Sequence, residues 1–192
     1  MKNQVISPKW DDPFLICEFP KEISVEMDQW VSAVREIKNH PLSELKAHIN
    51  VGYNKNCDHI QNAYQCSVPF NMVQDSFWLP YVLKTCASHW GGTDIDYKLT
   101  EYPGHFDRSG VWVNFSYEGN GNLEHTHNGF ISGVIYYKND KNHPTIFPHH
   151  NKEYCGKNET MILFDSFTPH CVDVQPFVDE RITFAFNIEK VS

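Results

Sequence analysis

The spacing of hydrophobic positions changes near Gly91-Gly92. Before that point it is helical. Met27, Trp30, Val31, Val34 and Ile37 recur on one face of a helix. Ser24 is placed to cap the start of that helix, and Asn39-His40-Pro41 ends it, because proline cannot continue a helix and constrains the residue before it. A second helix is predicted over 76–90, with Pro80 compatible only with its first turn and Gly91-Gly92 as its stop. The segment 41–71 has no dominant period and predicts at most one short helix over 58–64.

After Gly92 the apolar positions alternate. Ile95, Tyr97 and Leu99 form one stripe, and Val111, Val113, Phe115 and Tyr117 interleave with Trp112, Asn114 and Ser116. One of the two stripes over 111–117 must face a core, and the pattern does not say which. Further strand-like runs cover 130–137, 160–164, 171–175 and 181–188, punctuated by Tyr102-Pro-Gly, Gly119-Asn-Gly, Asn139-Asp and Cys155-Gly. Short strands at this spacing predict a mostly β fold with flanking α: a double-stranded β-helix, or jelly roll, with N-terminal helices packed outside one sheet. Neither a repeat nor a linker interrupts the chain. One domain over 1–192 is expected, with 1–92 as mainly helical support and 93–192 as the jelly-roll core carrying any site.

Composition narrows the partners. The chain has 192 residues, of which 41% are hydrophobic and 14% aromatic, enough for a full core and too many for disorder. Its net charge of −8, without a cluster of Lys or Arg, makes nucleic acid or an anionic membrane a poor partner. The start lacks the apolar stretch of a signal peptide, and no window approaches the roughly 18 apolar residues of a membrane span, so a cytoplasmic protein is expected. The six scattered cysteines form no C-x-x-C pair and read as free thiols. Cys57, His59 and Cys66 fit no common zinc spacing.

The richest chemistry lies in Asn122-Leu-Glu-His-Thr-His-Asn-Gly-Phe-Ile-Ser-Gly-Val-Ile-Tyr-Tyr137. His125 and His127 are two apart, so in an extended strand both project to one side and could share a transition metal. Eleven histidines make a chance pair easy to find, so the company matters. His170 follows an apolar strand and a Thr-Pro turn, and Arg181 with Thr183 opens the last strand on a common face. An inward arginine is costly unless it meets an anion, and its planar fork suits a carboxylate. Asn114 is read either as a ligand-binding amide or as a partner for a buried backbone group. His143 and His149-His150 are read as members of a solvated loop.

Taken together, Val111-Trp-Val-Asn114, His125-Thr-His127, Ser132-Gly-Val-Ile-Tyr-Tyr137, His170 and Arg181-Ile-Thr183-Phe-Ala-Phe-Asn187 resemble the iron(II)/2-oxoglutarate-dependent oxygenases, in a branch found in bacteria and phages. The resemblance covers about 95–188. It implies iron(II) held by His125 and His170, with Arg181 and Thr183 binding the far carboxylate of 2-oxoglutarate. Dioxygen would be the second co-substrate, and an unidentified protein side chain or small molecule would be hydroxylated with release of succinate and carbon dioxide. Better-known members carry an acid where this chain has His127. Glu124 should face away from His125, and Asp165 reads as turn chemistry, so a three-histidine site of His125, His127 and His170 is preferred over one completed by either acid. Two other readings stand beside it: a cupin-like three-histidine dioxygenase that uses no 2-oxoglutarate, and a catalytically inactive jelly-roll binding module.

Overall fold

The computed structural model describes residues 13–39, 49–50, 64–100 and 108–191. Its last strand, Arg181–Lys190 (β12), shows how the layers arise. Ile182, Phe184, Phe186 and Ile188 point to one face, and Arg181, Thr183 and Asn187 to the other. This strand is flanked by Arg108–Ser116 (β5) and Ile131–Lys138 (β7). Thr160–Asp165 (β10) and Phe14–Glu18 (β1) extend the sheet beyond β7. Tyr64–Pro69 (β3) and Ile49–Asn50 (β2) extend it beyond β5, and Tyr97–Leu99 (β4) pairs with the end of β12. The result is an antiparallel sheet of eight strands among the described residues.

A second sheet of four faces it: Asn122–His125 (β6), His170–Val172 (β11), Thr145–Phe147 (β8) and Lys152–Tyr154 (β9), in that order. From β5 to β12 the chain passes repeatedly between the two sheets, which is the winding of a double-stranded β-helix. Phe14, Tyr136, Phe147, Ile162 and Phe164 form an apolar core between the sheets. On the far side of the large sheet lie the helices Lys21–Asn39 (α1), Phe70–Gln74 (α2) and Trp78–Trp90 (α3). Ile23, Met27, Trp30, Val31 and Val34 of α1 are buried at helical spacing, and Trp30 meets both Trp78 and Phe184 edge-on with ring centroids under 6 Å apart (5.7 and 5.8 Å).

Several expectations are corrected here. Helix α1 starts at Lys21, so Ser24 lies inside its first turns and is no cap. Pro20 sets the entry instead, its carbonyl accepting from the Ile23 amide at 3.0 Å. Beside its helices the first part of the chain contributes β1 and β3 to the large sheet, and the Cys171 run stops at Val172. The strands β6, β8 and β9 are too short to show a period. The Val111, Val113 and Phe115 stripe faces the helices, which leaves Trp112 and Asn114 on the inter-sheet face. Helix α3 begins at Trp78, so Pro80 sits in its first turn, and Gly91 follows it with φ +80°. The expected helix over 58–64, apart from Tyr64, lies outside the described residues, as do Cys57, His59 and the Tyr102-Pro-Gly turn. No helix of the described residues is long and apolar enough to cross a membrane.

One close approach fixes how β7 and β12 meet. A Cβ added at Gly133 would lie 2.1 Å from Cζ of Phe186, a cross-strand neighbour in register. Gly133→Ala should therefore lower the unfolding free energy by about 1–3 kcal/mol in a urea titration. Combined with Phe186→Leu, the loss should be smaller than the sum of the two single losses. Strict additivity would mean that the ring is not what excludes the methyl group.

Candidate metal centre

Within the smaller sheet β6 pairs with β11, and this pairing sets His125 directly opposite His170. Their ring centroids are 4.4 Å apart, and the His127 ring lies 4.9 Å from His125 and 5.1 Å from His170. One ring nitrogen from each residue lies within 4.8 Å of the others. His170 is buried against Phe164 and Phe147, whereas His125 and His127 are half-buried, so the cluster has a closed apolar floor and an open side. Trp112 lines the same space, its ring 5.8 Å from that of His127.

Two of the imidazoles are oriented by the same local device. His125 Nδ1 lies 2.7 Å from the Leu123 carbonyl, and His170 Nδ1 lies 3.0 Å from the Thr168 carbonyl. A carbonyl only accepts, so each Nδ1 carries the proton and each Nε2 keeps its lone pair for a metal. His127 is held differently. Strand β6 ends at His125, so strand alternation does not by itself place His127. Its backbone amide donates to the Ser166 carbonyl at 2.9 Å, while the Ser166 amide donates to the Phe130 carbonyl at 3.3 Å. Ser166 Oγ lies 3.0 Å from Ser132 Oγ, which donates to Asn187 Oδ1 at 2.7 Å. The turn before β11 and the loop after β6 are thus tied together, and His127 with them.

Burial, reinforced by the neighbouring imidazoles, holds His127 down to about 3. Burial also lowers His170 to about 4, against the opposing effect of the Thr168 carbonyl. Both are neutral at physiological pH, the form that ligates. The acids are elsewhere. Glu124 turns outward to His149 at 3.4 Å, and Asp165 Oδ1 accepts from the Phe167 amide at 2.8 Å within its turn. Among the described residues, the metal-capable cluster contains no carboxylate.

Arg181, Thr183 and Asn114 share the inter-sheet face. Thr183 is opposite Asn114 in register, with Asn114 Nδ2 3.5 Å from Thr183 Oγ1 and Asn114 Oδ1 accepting from Gln65 Nε2 at 2.9 Å. Asn114 therefore partners side chains, which corrects its reading as a backbone partner. Arg181 is 5% exposed, with its Nε donating to Asn139 Oδ1 at 3.2 Å and its guanidinium 5.6 Å from the centre of the Tyr136 ring. The Tyr136 phenol, pushed up to about 12 by burial, is neutral and sits 2.5 Å from Thr145 Oγ1. Among the described residues no carboxylate reaches Arg181. Glu180, its chain neighbour, turns to Arg35, Lys138 and Tyr117.

His143 is corrected as well: it is buried, and its Nε2 lies 2.8 Å from the Asp173 carbonyl. His149 and His150 are exposed. Sequence reading missed Ser166 and Asn139. Ser166 acts through its backbone, which leaves no trace in sequence, and Asn139 looked like an ordinary turn residue.

No family model matches the chain, and no curated protein matches its sequence. Solved structures do. A viral collagen prolyl hydroxylase from Paramecium Bursaria Chlorella virus-1 superposes with a TM-score of 0.60 at 14% identity, covering 95% of this chain and 98% of its own. A 2OG-Fe(II) oxygenase family protein from Burkholderia pseudomallei gives 0.59 at 10% identity, covering 93% and 86%. A Trichoplax adhaerens prolyl hydroxylase, solved with a hypoxia inducible factor peptide fragment, gives 0.59 at 16% identity, covering 94% and 84%. The chain shares the jelly-roll fold of these oxygenases.

Three imidazoles with their ligand atoms so close together could hold one divalent ion per chain. Replacing His125, His127 or His170 by Ala should each weaken Co(II) or Fe(II) binding by more than about tenfold, the low end of what even an outer-shell change costs a metal site. Anaerobic titration of the metal-free protein measures this. Undiminished binding in His127→Ala would leave a site of two histidines.

Proposed function

We propose that the chain is a non-haem iron(II)/2-oxoglutarate-dependent dioxygenase that hydroxylates its substrate. The observation that carries this reading is the buried, uncompensated Arg181 on the same inter-sheet face as Thr183 and Asn114. A guanidinium so placed costs free energy unless an anion completes it, and among the described residues only neutral groups touch it. A planar carboxylate fits that need.

The residues present suit the implied ion. Two Nε2 lone pairs are fixed by backbone carbonyls, a third imidazole stands beside them, and the cluster keeps an open side. His125, His127 and His170 would hold iron(II). When bound, iron(II) would supply the activation of dioxygen, with 2-oxoglutarate as reductant, so that one oxygen atom would go to succinate and the other to a substrate C–H bond, with carbon dioxide released.

The chain's own groups do the rest. Arg181 and the Thr183 hydroxyl bind the far carboxylate of the keto acid, and Asn114, braced by Gln65, keeps that hydroxyl oriented. Fixing one end of a short molecule orients its other end. Phe147, Phe164 and Ile162 exclude water beneath the site. Trp112, partly exposed beside His127, stands where a substrate would enter. That substrate is a protein side chain or a small molecule. Prolyl peptides belong in the first screen, because two of the similar structures are prolyl hydroxylases by name.

Without oxygen, adding 2-oxoglutarate to the iron-loaded protein should produce a weak visible absorption band, and succinate, lacking the keto group, should not. Iron binding with no such band would favour the cupin-like three-histidine dioxygenase.

Arg181→Ala removes a charged partner from a buried pair, a loss of about 2–5 kcal/mol. It should raise the 2-oxoglutarate requirement more than about tenfold while iron binding stays nearly intact. Equal loss of both would make Arg181 a structural residue.

A further inference from the structure

Among the described residues Arg181 is hydrogen-bonded by one side chain, that of Asn139, immediately after β7. Asn139 is 3% exposed, and every polar position of its amide is in use. Its Nδ2 donates to the carbonyls of Gly156 at 2.7 Å and His143 at 3.2 Å. Its Oδ1 accepts from the His143 amide at 3.0 Å and from Arg181 Nε at 3.2 Å. Two carbonyls on the nitrogen side leave a single orientation: the oxygen must face the arginine.

Two consequences follow from that bond. The Nε–H is occupied, so an incoming carboxylate is left the two terminal amino groups and must approach the guanidinium end-on. The acceptor is also neutral, so it orients the guanidinium without cancelling its charge. An aspartate, nearly identical in shape, would cancel it, and would turn a carboxylate oxygen toward the Gly156 and His143 carbonyls.

We infer that Asn139 is the positioning residue of the anion site: a neutral clamp on Arg181 Nε that presents a fully charged guanidinium end-on to the far carboxylate of the co-substrate. This rests on the reading of Arg181 as the 2-oxoglutarate anchor.

The test compares full-length wild-type, Asn139→Asp and Asn139→Ala proteins. Iron(II) affinity is measured first, and then the dissociation constant for 2-oxoglutarate, by anaerobic calorimetry on the iron-loaded chains. Wild-type binding of iron but not of 2-oxoglutarate would overturn the anchor reading itself, and this inference with it. Where the wild type binds, Asn139→Asp should weaken 2-oxoglutarate more than about tenfold, the factor set by losing one charge-assisted pair. Asn139→Ala should weaken it by a smaller factor, and iron affinity should stay within about twofold in both, since no ligand is touched. Should Asn139→Asp fail to fold, Asn139→Ala carries the test, with a raised KM for 2-oxoglutarate at unchanged kcat as its second readout. Wild-type affinity in the folded variants, or a parallel fall of iron and 2-oxoglutarate binding, overturns the assignment of Asn139 alone.

Discussion

The alternation of side chains along β12 is the constraint on which the remaining architecture depends. Strand β12 is hydrogen-bonded to β5 on one side and β7 on the other, and each of its residues commits to one of two environments. Ile182, Phe184, Phe186 and Ile188 enter the core under the helices, while Arg181, Thr183 and Asn187 enter the space between the sheets. A slip of one residue would put Thr183 or Ala185 against Trp30 and Glu180 or Ile182 beside Asn139. The strand is therefore pinned both by the aromatic contacts on its helix side and by the polar partners on the other.

Between the sheets the same logic runs crosswise. Gln65, Asn114, Thr183, Tyr136 and Thr160 stand in register across five strands. Each is a neighbour of the next on one face, and they form a polar row above an apolar floor. A buried polar row is tolerable only when its members satisfy one another. Here Gln65 bonds Asn114, Asn114 lies next to Thr183, and the Tyr136 hydroxyl goes to Thr145 of the opposite sheet. Arg181, beside this row at the end of its strand, meets no carboxylate among the described residues.

Much of this was legible in the sequence because it rests on period. The longer jelly-roll strands over 111–188 alternate strongly, and Arg181 and Thr183 are tied to that alternation, whereas His127 lies beyond the end of β6. The helix face of Met27, Trp30, Val31 and Val34 was readable for the same reason, at a different period. What failed was what has no period. Strands of three or four residues such as β6, β8 and β9 cannot display one, and β1 was not separable from an extended lead-in. The stripe of β5 that faces the core was undecidable, because both stripes carry large residues. His143 looked solvated among polar neighbours, and only the fold shows its ring under Phe177. Asn139 and Ser166 escaped because their roles depend on the backbone of distant segments.

The donor set of three imidazole nitrogens has a consequence for the identity of the ion. Imidazole is a borderline ligand, and for such ligands intrinsic affinity rises from iron(II) through cobalt and nickel to copper, with zinc also above iron. An oxygen donor would temper that ranking, and the cluster of His125, His127 and His170 contains none. The iron proposed here would then be held more weakly than cobalt, nickel, copper or zinc. Its occupancy would be decided by supply in the surrounding medium and by the co-substrate that completes its coordination, and not by selectivity built into the chain.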